Sequence, residues 1–294
     1  MDLFPTSSFT SLNVKVLRLF CQMIIMLGMV NFAFLDSGTG GLPYLTYLKK
    51  KNPSASCIYI GDTKHFPYGE KTEAQIIENA CGCVEKIIAR WNPHTVVIAC
   101  NTISVTALEE LRRRFPDTPF VGTVPAIKPA GLISKTRRIG LLATNATVRH
   151  PYTAGLCSRF APDCRLVSRG DPELISFIEH RFFSAPESER IAAVRPAVDF
   201  FRENGCDVIV LACTHFLNMA DYIQAYAGSD IQVIDSREGV ASHALSVEKT
   251  GACKTPCEPE ESALYVTGFS VSNDSSEYET FCRRNNIKFG GILQ

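Results

Sequence analysis

The sequence predicts an α/β protein: two pseudo-symmetric α/β domains with mainly parallel sheets, facing one cleft. Three observations carry that prediction. The run Val96-Val97-Ile98-Ala99 has no polar alternation, as expected of a strand covered on both faces, and it stops at Cys100-Asn101-Thr102. The same pattern returns at Val208-Ile209-Val210-Leu211-Ala212, which stops at Cys213-Thr214-His215. Between and around these runs, strand and helix patterns alternate, the signature of parallel sheets. Ligands of open parallel sheets sit beyond the carboxyl ends of the strands, so both thiols fall where chemistry is expected. A free cysteine is often simply a core residue. Two in matched contexts, each followed by hydrogen-bonding side chains, are not explained that way.

Length and composition bound the rest. The chain has 294 residues, enough for two ordinary cores, with 46% hydrophobic residues and 20% charged. Its formal net charge of zero argues against a nucleic-acid or anionic-membrane partner. Twelve cysteines are too dilute for a disulfide scaffold, and most lie inside strand or helix patterns, which points to a reducing compartment. Lys15 and Arg18 precede an apolar run at 19–35, but Gln22 and Asn31 interrupt it and no small-residue cleavage site follows. Residues 1–29 are therefore expected to be an extension outside the fold, with the first strand at 30–35.

That strand runs into Asp36-Ser37-Gly38-Thr39-Gly40-Gly41-Leu42. The glycines permit a tight turn, but Pro43 replaces the third glycine of a dinucleotide fingerprint, and no phosphate-loop lysine motif is present. What remains is a strand-end carboxylate and hydroxyl on a loop shaped for a small ligand. A second strand at 57–60 ends at Gly61-Asp62 and leads into Pro67-Tyr68-Gly69. Thr72 and Gln75 predict a capping box, opening a helix whose apolar stripe is Ile76, Ile77, Ala80, Val84, Ile87, Ile88 and Trp91. Cys81 and Cys83 cannot share one helix face, which disfavours a metal pair there. The helix after Thr102 is expected to turn Val105, Leu108 and Leu111 inward.

The break at Pro116–Pro119, followed by Val124-Pro125, marks a crossing into a second unit. Its first strand, 138–143, ends at Thr144 with Thr147 just beyond. A helix at 172–183 carries Glu179, and Ser184 with Glu187 is expected to cap another that stops at Gly205. After the Cys213 strand come a helix, a strand at 231–234 ending at Asp235, and a polar loop at 249–262. Cys253 and Cys257 in that loop have no evident partner ligands. A strand at 263–269 and a helix at 277–284 complete the first unit. The expected division is 30–122 with 236–294 as one domain and 123–235 as the other.

Two thiols facing one cleft leave three chemistries open. A redox pair normally has Cys-x-x-Cys spacing, absent for these cysteines. Cys100, Cys213 and His215 could form a zinc site. Alternatively, the thiols could act as acid and base on opposite faces of a substrate carbon, with Asp36 and His215 as their assisting groups. Such inversion needs hydrogen-bond donors for the carbanion, and Ser37, Asn101, Thr102, Thr144, Thr147 and Thr214 are suitably placed.

The segments Asp36-Ser37-Gly38-x-Gly40-Gly41-Leu42, Gly61-Asp62 with Pro67-Tyr68-Gly69, Ala99-Cys100-Asn101-Thr102, Val124-Pro125-Ala126 and Leu211-Ala212-Cys213-Thr214-His215-Phe216 resemble the glutamate racemase family, in family order, over about residues 30–270. The resemblance implies two α/β domains around a cleft and cofactor-independent racemisation of glutamate, with no metal. It also implies a cytoplasmic homodimer supplying D-glutamate for peptidoglycan. By the same resemblance Cys100 and Cys213 are the catalytic acid/bases, Asp36 assists the first and His215 the second, and Glu179 is a further acidic residue. Asp36, Ser37, Pro67, Tyr68, Gly69, Asn101, Thr102, Thr144, Thr147 and Thr214 fall on substrate-contacting segments. Lys64-His65-Phe66 departs from the family, which usually has an arginine-containing stretch there, and Leu217-Asn218 stands where a proline is common. A racemase of aspartate or a related acid, and a two-lobed non-catalytic binder, are the alternatives.

Overall fold

In a computed structural model of the chain, residues 30–182, 184–250, 261–269 and 275–294 are described. The extension at 1–29 and the pair Cys253 and Cys257 lie outside them. Among the described residues every strand pairing is parallel, and the strands form two sheets. The first has the order β10-β9-β2-β1-β3-β4, built from β1 (Phe32–Asp36), β2 (Cys57–Gly61), β3 (Thr95–Ile98), β4 (Phe120–Gly122), β9 (Ala263–Val266) and β10 (Lys288–Ile292). The second has the order β6-β5-β7-β8, built from β5 (Arg138–Ala143), β6 (Arg165–Gly170), β7 (Val208–Ala212) and β8 (Gln232–Ile234).

The central strands β1, β2, β3 and β7 are buried at every position, which is why they read as unbroken apolar runs. Helices cover both faces of each sheet. On the first, α1 (Leu42–Lys51) packs with Phe32, Phe34 and Tyr59 on one face. On the other, α2 (Glu73–Trp91) and α3 (Asn101–Arg114) bury Ile76, Val84, Ile87, Ile103 and Leu111 against Ala33, Leu35 and Ile98. Each large side chain so buried contributes about 1.5–3 kcal/mol. The Thr72–Gln75 capping box forms as expected. In α3 the buried stripe is Ile103, Ala107 and Leu111, with Val105 and Leu108 only half-buried.

The second sheet carries α4 (Ile127–Ile133) and α6 (Pro151–Phe160) over Ile139, Leu141 and Val210. Its other face carries α8 (Glu187–Glu203) and α9 (Ala220–Ala227), which bury Phe201 and Ile223 with Ile209 and Leu211. The short α5 (Asn145–Arg149) begins at Thr144, whose hydroxyl accepts from the Thr147 N–H at 3.1 Å. Helix α7 spans Pro172–His180, ending before the expected 183. The Ser184–Glu187 cap does not form: Ser184 Oγ donates to the Arg181 carbonyl, and α8 starts after an extended Pro186 without a side-chain cap. Helices α10 (Arg237–Thr250) and α11 (Ser275–Arg284) return the chain to the first sheet. Strand β9 stops at Val266 rather than 269, because its ladder partner β2 ends opposite it at Gly61.

Candidate active site

Parallel order turns the carboxyl ends of both sheets toward one cavity. Asp36 ends β1, Asp62 follows β2, Cys100 follows β3 and caps α3, Thr144 follows β5, and Cys213 follows β7. The cavity, of about 410 Å³, is lined by Ser37, Pro67, Tyr68, Gly69, Cys100, Asn101, Thr102, Thr144, Glu179, Cys213, Thr214 and His215, all expected from the sequence. Asp36 and Thr147 stand one layer behind its wall, each fully buried. Phe66, from the stretch that departs from the family at the mouth of the cleft, also lines it, and Thr63, Glu70, Asn145, Ile175, Ser176, His180 and Tyr278 line it without having been anticipated. Thr63 and Asn145 directly follow the strand-end residues Asp62 and Thr144, while the others belong to helices and connections without that signal and are brought in by tertiary packing.

Cys100 is the N-cap of α3. Its sulfur accepts from the Ile103 N–H at 3.5 Å and donates to Ser37 Oγ at 3.5 Å. Burial and the nearby Asp36 carboxylate push this thiol well above its ordinary range. Asp36 does not bond the sulfur; its carboxylate accepts from the Ser37 N–H, the Gly41 N–H and the Tyr59 hydroxyl, each at 2.8 Å, and from Thr214 Oγ1 at 3.4 Å. Burial raises the Asp36 carboxyl, with the His215 charge and these hydrogen bonds opposing it.

Cys213 has a different neighbour. Its sulfur lies 3.7 Å from His215 Nδ1, and His215 Nε2 lies 2.9 Å from Glu179 Oε2. Burial alone would disfavour the imidazolium, but bonds to Cys213 and Glu179 outweigh it and hold His215 well above its ordinary pKa. Burial likewise disfavours the Glu179 carboxylate, yet the His215 contact holds it below the usual value. Thr39 Oγ1 donates to Glu179 at 3.4 Å. The loop after β1 must come very close to make this possible. A Cβ on Gly40 would lie 2.7–2.8 Å from His215 backbone and ring atoms, so only glycine fits.

Asn101 is 2% exposed, lines the cavity, and neither its Oδ1 nor its Nδ2 has a partner. An unpaired buried amide costs about 1–3 kcal/mol, a cost that a bound ligand can relieve. Among the described residues, no three His, Cys, Asp or Glu side chains converge as a metal's ligand set. Also among them, no helix is long and apolar enough to cross a membrane.

Residues 45–244 match the model of the Asp/Glu/Hydantoin racemase family. The chain belongs to that family. Within it, a glutamate racemase of Treponema pallidum is 40% identical over 267 residues, 89% of this chain and 96% of the relative. The glutamate racemase of Glaesserella parasuis serovar 5 is 35% identical over 255 residues, 86% and 88% of the two chains. The crystal structure of Escherichia coli glutamate racemase, in complex with L-glutamate and activator UDP-MurNAc-ala, is similar with a TM-score of 0.82. It is 28% identical and covers 90% of this chain and 98% of that one. The racemase family makes the chain an isomerase, and the resemblance to glutamate racemases extends over most of its length.

Proposed function

We propose that the chain interconverts L- and D-glutamate without a cofactor, using Cys100 and Cys213 as acid and base on opposite faces of the α-carbon. The observation that carries this reading is that two thiols, each following a central strand of a different sheet, line one cavity. In one direction a thiolate takes the α-proton onto sulfur, and the electron pair stays on carbon. The opposing thiol then gives its proton to the other face. The product leaves with the protonation states of the two sulfurs exchanged, so the same site is set for the reverse reaction.

Each sulfur has its own support in this scheme. Cys100 passes its proton toward Asp36 by way of the Ser37 hydroxyl, while Cys213 exchanges with His215, whose charge Glu179 holds. The Asn101 amide, the hydroxyls of Ser37, Thr102, Thr144 and Thr214, and the Pro67-Tyr68-Gly69 segment would bind the substrate's polar groups. Thr147 acts behind them through Thr144, to which it is bonded at 3.0 Å. The names of the relatives favour glutamate over aspartate. With this activity go the supply of D-glutamate to peptidoglycan, a cytoplasmic setting and a homodimer. The same reading divides the chain into domains at 30–122 with 236–294, and 123–235.

The test is α-hydrogen exchange in heavy water with purified protein and no added cofactor, run on both enantiomers of glutamate and of aspartate, with and without a chelator. Exchange and racemisation of glutamate, unaffected by the chelator, are expected. Exchange of aspartate alone would move the substrate assignment, loss on chelation would bring back the zinc site, and no exchange would leave a binding protein.

A further inference from the structure

A buried carboxylate outside the acid/base machinery is hydrogen-bonded to a strap that lines the cavity. Asp62 is fully buried just past β2. Its Oδ1 accepts from Thr267 Oγ1 at 2.6 Å, both oxygens lie 2.9 Å from His65 Nδ1, and Tyr68 OH donates a hydrogen bond to Oδ2. Its backbone N–H donates to the Asp36 carbonyl at 2.8 Å. Three side chains from two separate segments thus converge on one charge, and two of them belong to the connection 63–69.

That connection reaches the apolar cluster that holds Cys100 and the histidine beside Cys213. The ring of Tyr68 is buried in the same apolar cluster as Cys100 and Ile103. Phe66 packs its ring against His215, the partner of Cys213, with centroids 5.6 Å apart. A Cβ on Gly69 would lie 3.1 Å from Thr144 Cβ, which places the end of the strap against the second sheet. Phe66, Pro67, Tyr68 and Gly69 all line the cavity.

We infer that Asp62 is a positioning residue for racemisation, holding the 63–69 strap so that its Phe66 end fixes the Cys213 half-site and its Tyr68 end fixes the Cys100 half-site. This rests on the proposed racemase reading and adds the group that sets the spacing of the two halves. A buried charge of this kind is held by its donors, and removing a donor or the charge frees the strap locally. Misplacement by about 1 Å at a reacting centre can cost about a hundredfold in rate. The Nδ1–H of His65 supplies the donor that Asp62 needs there. Arg at 65 would also supply one.

The experiment compares wild type with Asp62→Asn, Tyr68→Phe, His65→Ala and His65→Arg, reading kcat and KM in both directions together with the melting temperature. Because the two enantiomers are equal in free energy, kcat/KM must fall equally in both directions. Asp62→Asn is expected to lose at least about thirtyfold in kcat/KM with kcat falling in both directions, within the range expected of a misplaced reacting centre. Tyr68→Phe and His65→Ala are expected to lose several-fold each, and His65→Arg to recover most of the loss seen in His65→Ala. Wild-type racemisation with Asp62→Asn and Tyr68→Phe both folded and both within twofold of wild type would overturn the inference and leave the proposed function standing. Should Asp62→Asn not fold, Tyr68→Phe and the His65 pair decide: an unchanged Tyr68→Phe, or His65→Arg as impaired as His65→Ala, contradicts it. Absence of racemisation in wild type would instead sink the reading beneath it.

Discussion

The half-sites around Cys100 and Cys213 share a place in the fold and differ in what surrounds the sulfur. Cys100 caps a helix and touches a backbone N–H and a serine hydroxyl, with its nearest carboxylate one bond further back. Cys213 sits against an imidazole that is itself paired with a carboxylate. One half presents neutral dipoles beside a buried acid, the other an imidazole paired with a carboxylate. Matched strand ends therefore do not imply matched surroundings. Burial and Asp36 push the Cys100 thiol up, whereas on the other side the bonds to Cys213 and Glu179 raise His215.

The sharpest way to break this comparison is to remove each sulfur in turn. Cys100→Ser and Cys213→Ser are each expected to lower racemisation by about 10³-fold or more, followed by circular dichroism of glutamate, because acid–base partners in one proton transfer act as a unit. Retention of racemisation in either variant would show that the two halves are not both needed.

Gly40→Ala asks whether the halves are mechanically linked, since Gly40 follows β1 yet packs on His215. It is expected to cost about 1–3 kcal/mol of stability from overpacking and about a hundredfold in kcat. A variant with wild-type kcat would mean that the loop yields without moving the imidazole.

Glu179→Gln tests the imidazole–carboxylate pair alone, with an expected loss of about ten- to a hundredfold in kcat. It also carries a pH signature. His215 is raised in the folded state, so its pairing stabilises fully below the unfolded histidine value, and that stability is lost as pH rises through the folded value. Glu179 is lowered, so its contribution is present above the unfolded glutamate value and is lost as pH falls through the folded one. The melting-temperature difference between wild type and Glu179→Gln should then be largest between those two limits and vanish in acid. A difference independent of pH would contradict the paired charges.

Ser37→Ala is the smallest of these effects. Losing one hydroxyl contact to Cys100 is expected to lower kcat by about tenfold, the loss of about one good hydrogen bond. A larger loss than that of Glu179→Gln would reverse the comparison, placing the stronger support on the Cys100 side.

What the sequence revealed, and what it hid, follows the same physics. Central strands are covered on both faces, so β1, β3 and β7 stood out as apolar runs with Asp36, Cys100 and Cys213 at their ends. Three strands have no counterpart in the sequence reading, β4, β6 and β10, and each lies at an edge of its sheet. Arg165-Leu-Val-Ser-Arg-Gly and Lys288-Phe-Gly-Gly-Ile are only partly buried, so neither shows a continuous apolar pattern. In the site, hydroxyls and thiols following strands were legible, while His180 and Tyr278 were not. Both enter through helices, and nothing local in their sequence points toward the cavity.

The most direct measurement is enantiomer-resolved α-hydrogen exchange of the two single variants in heavy water, followed by proton NMR. With one sulfur removed, the other can still take the proton from the single face it covers. Cys100→Ser and Cys213→Ser should therefore each favour exchange of one enantiomer, and opposite ones, with almost no net racemisation. Exchange of the same enantiomer by both variants, or equal exchange of both enantiomers by either, would contradict two thiols acting from opposite faces.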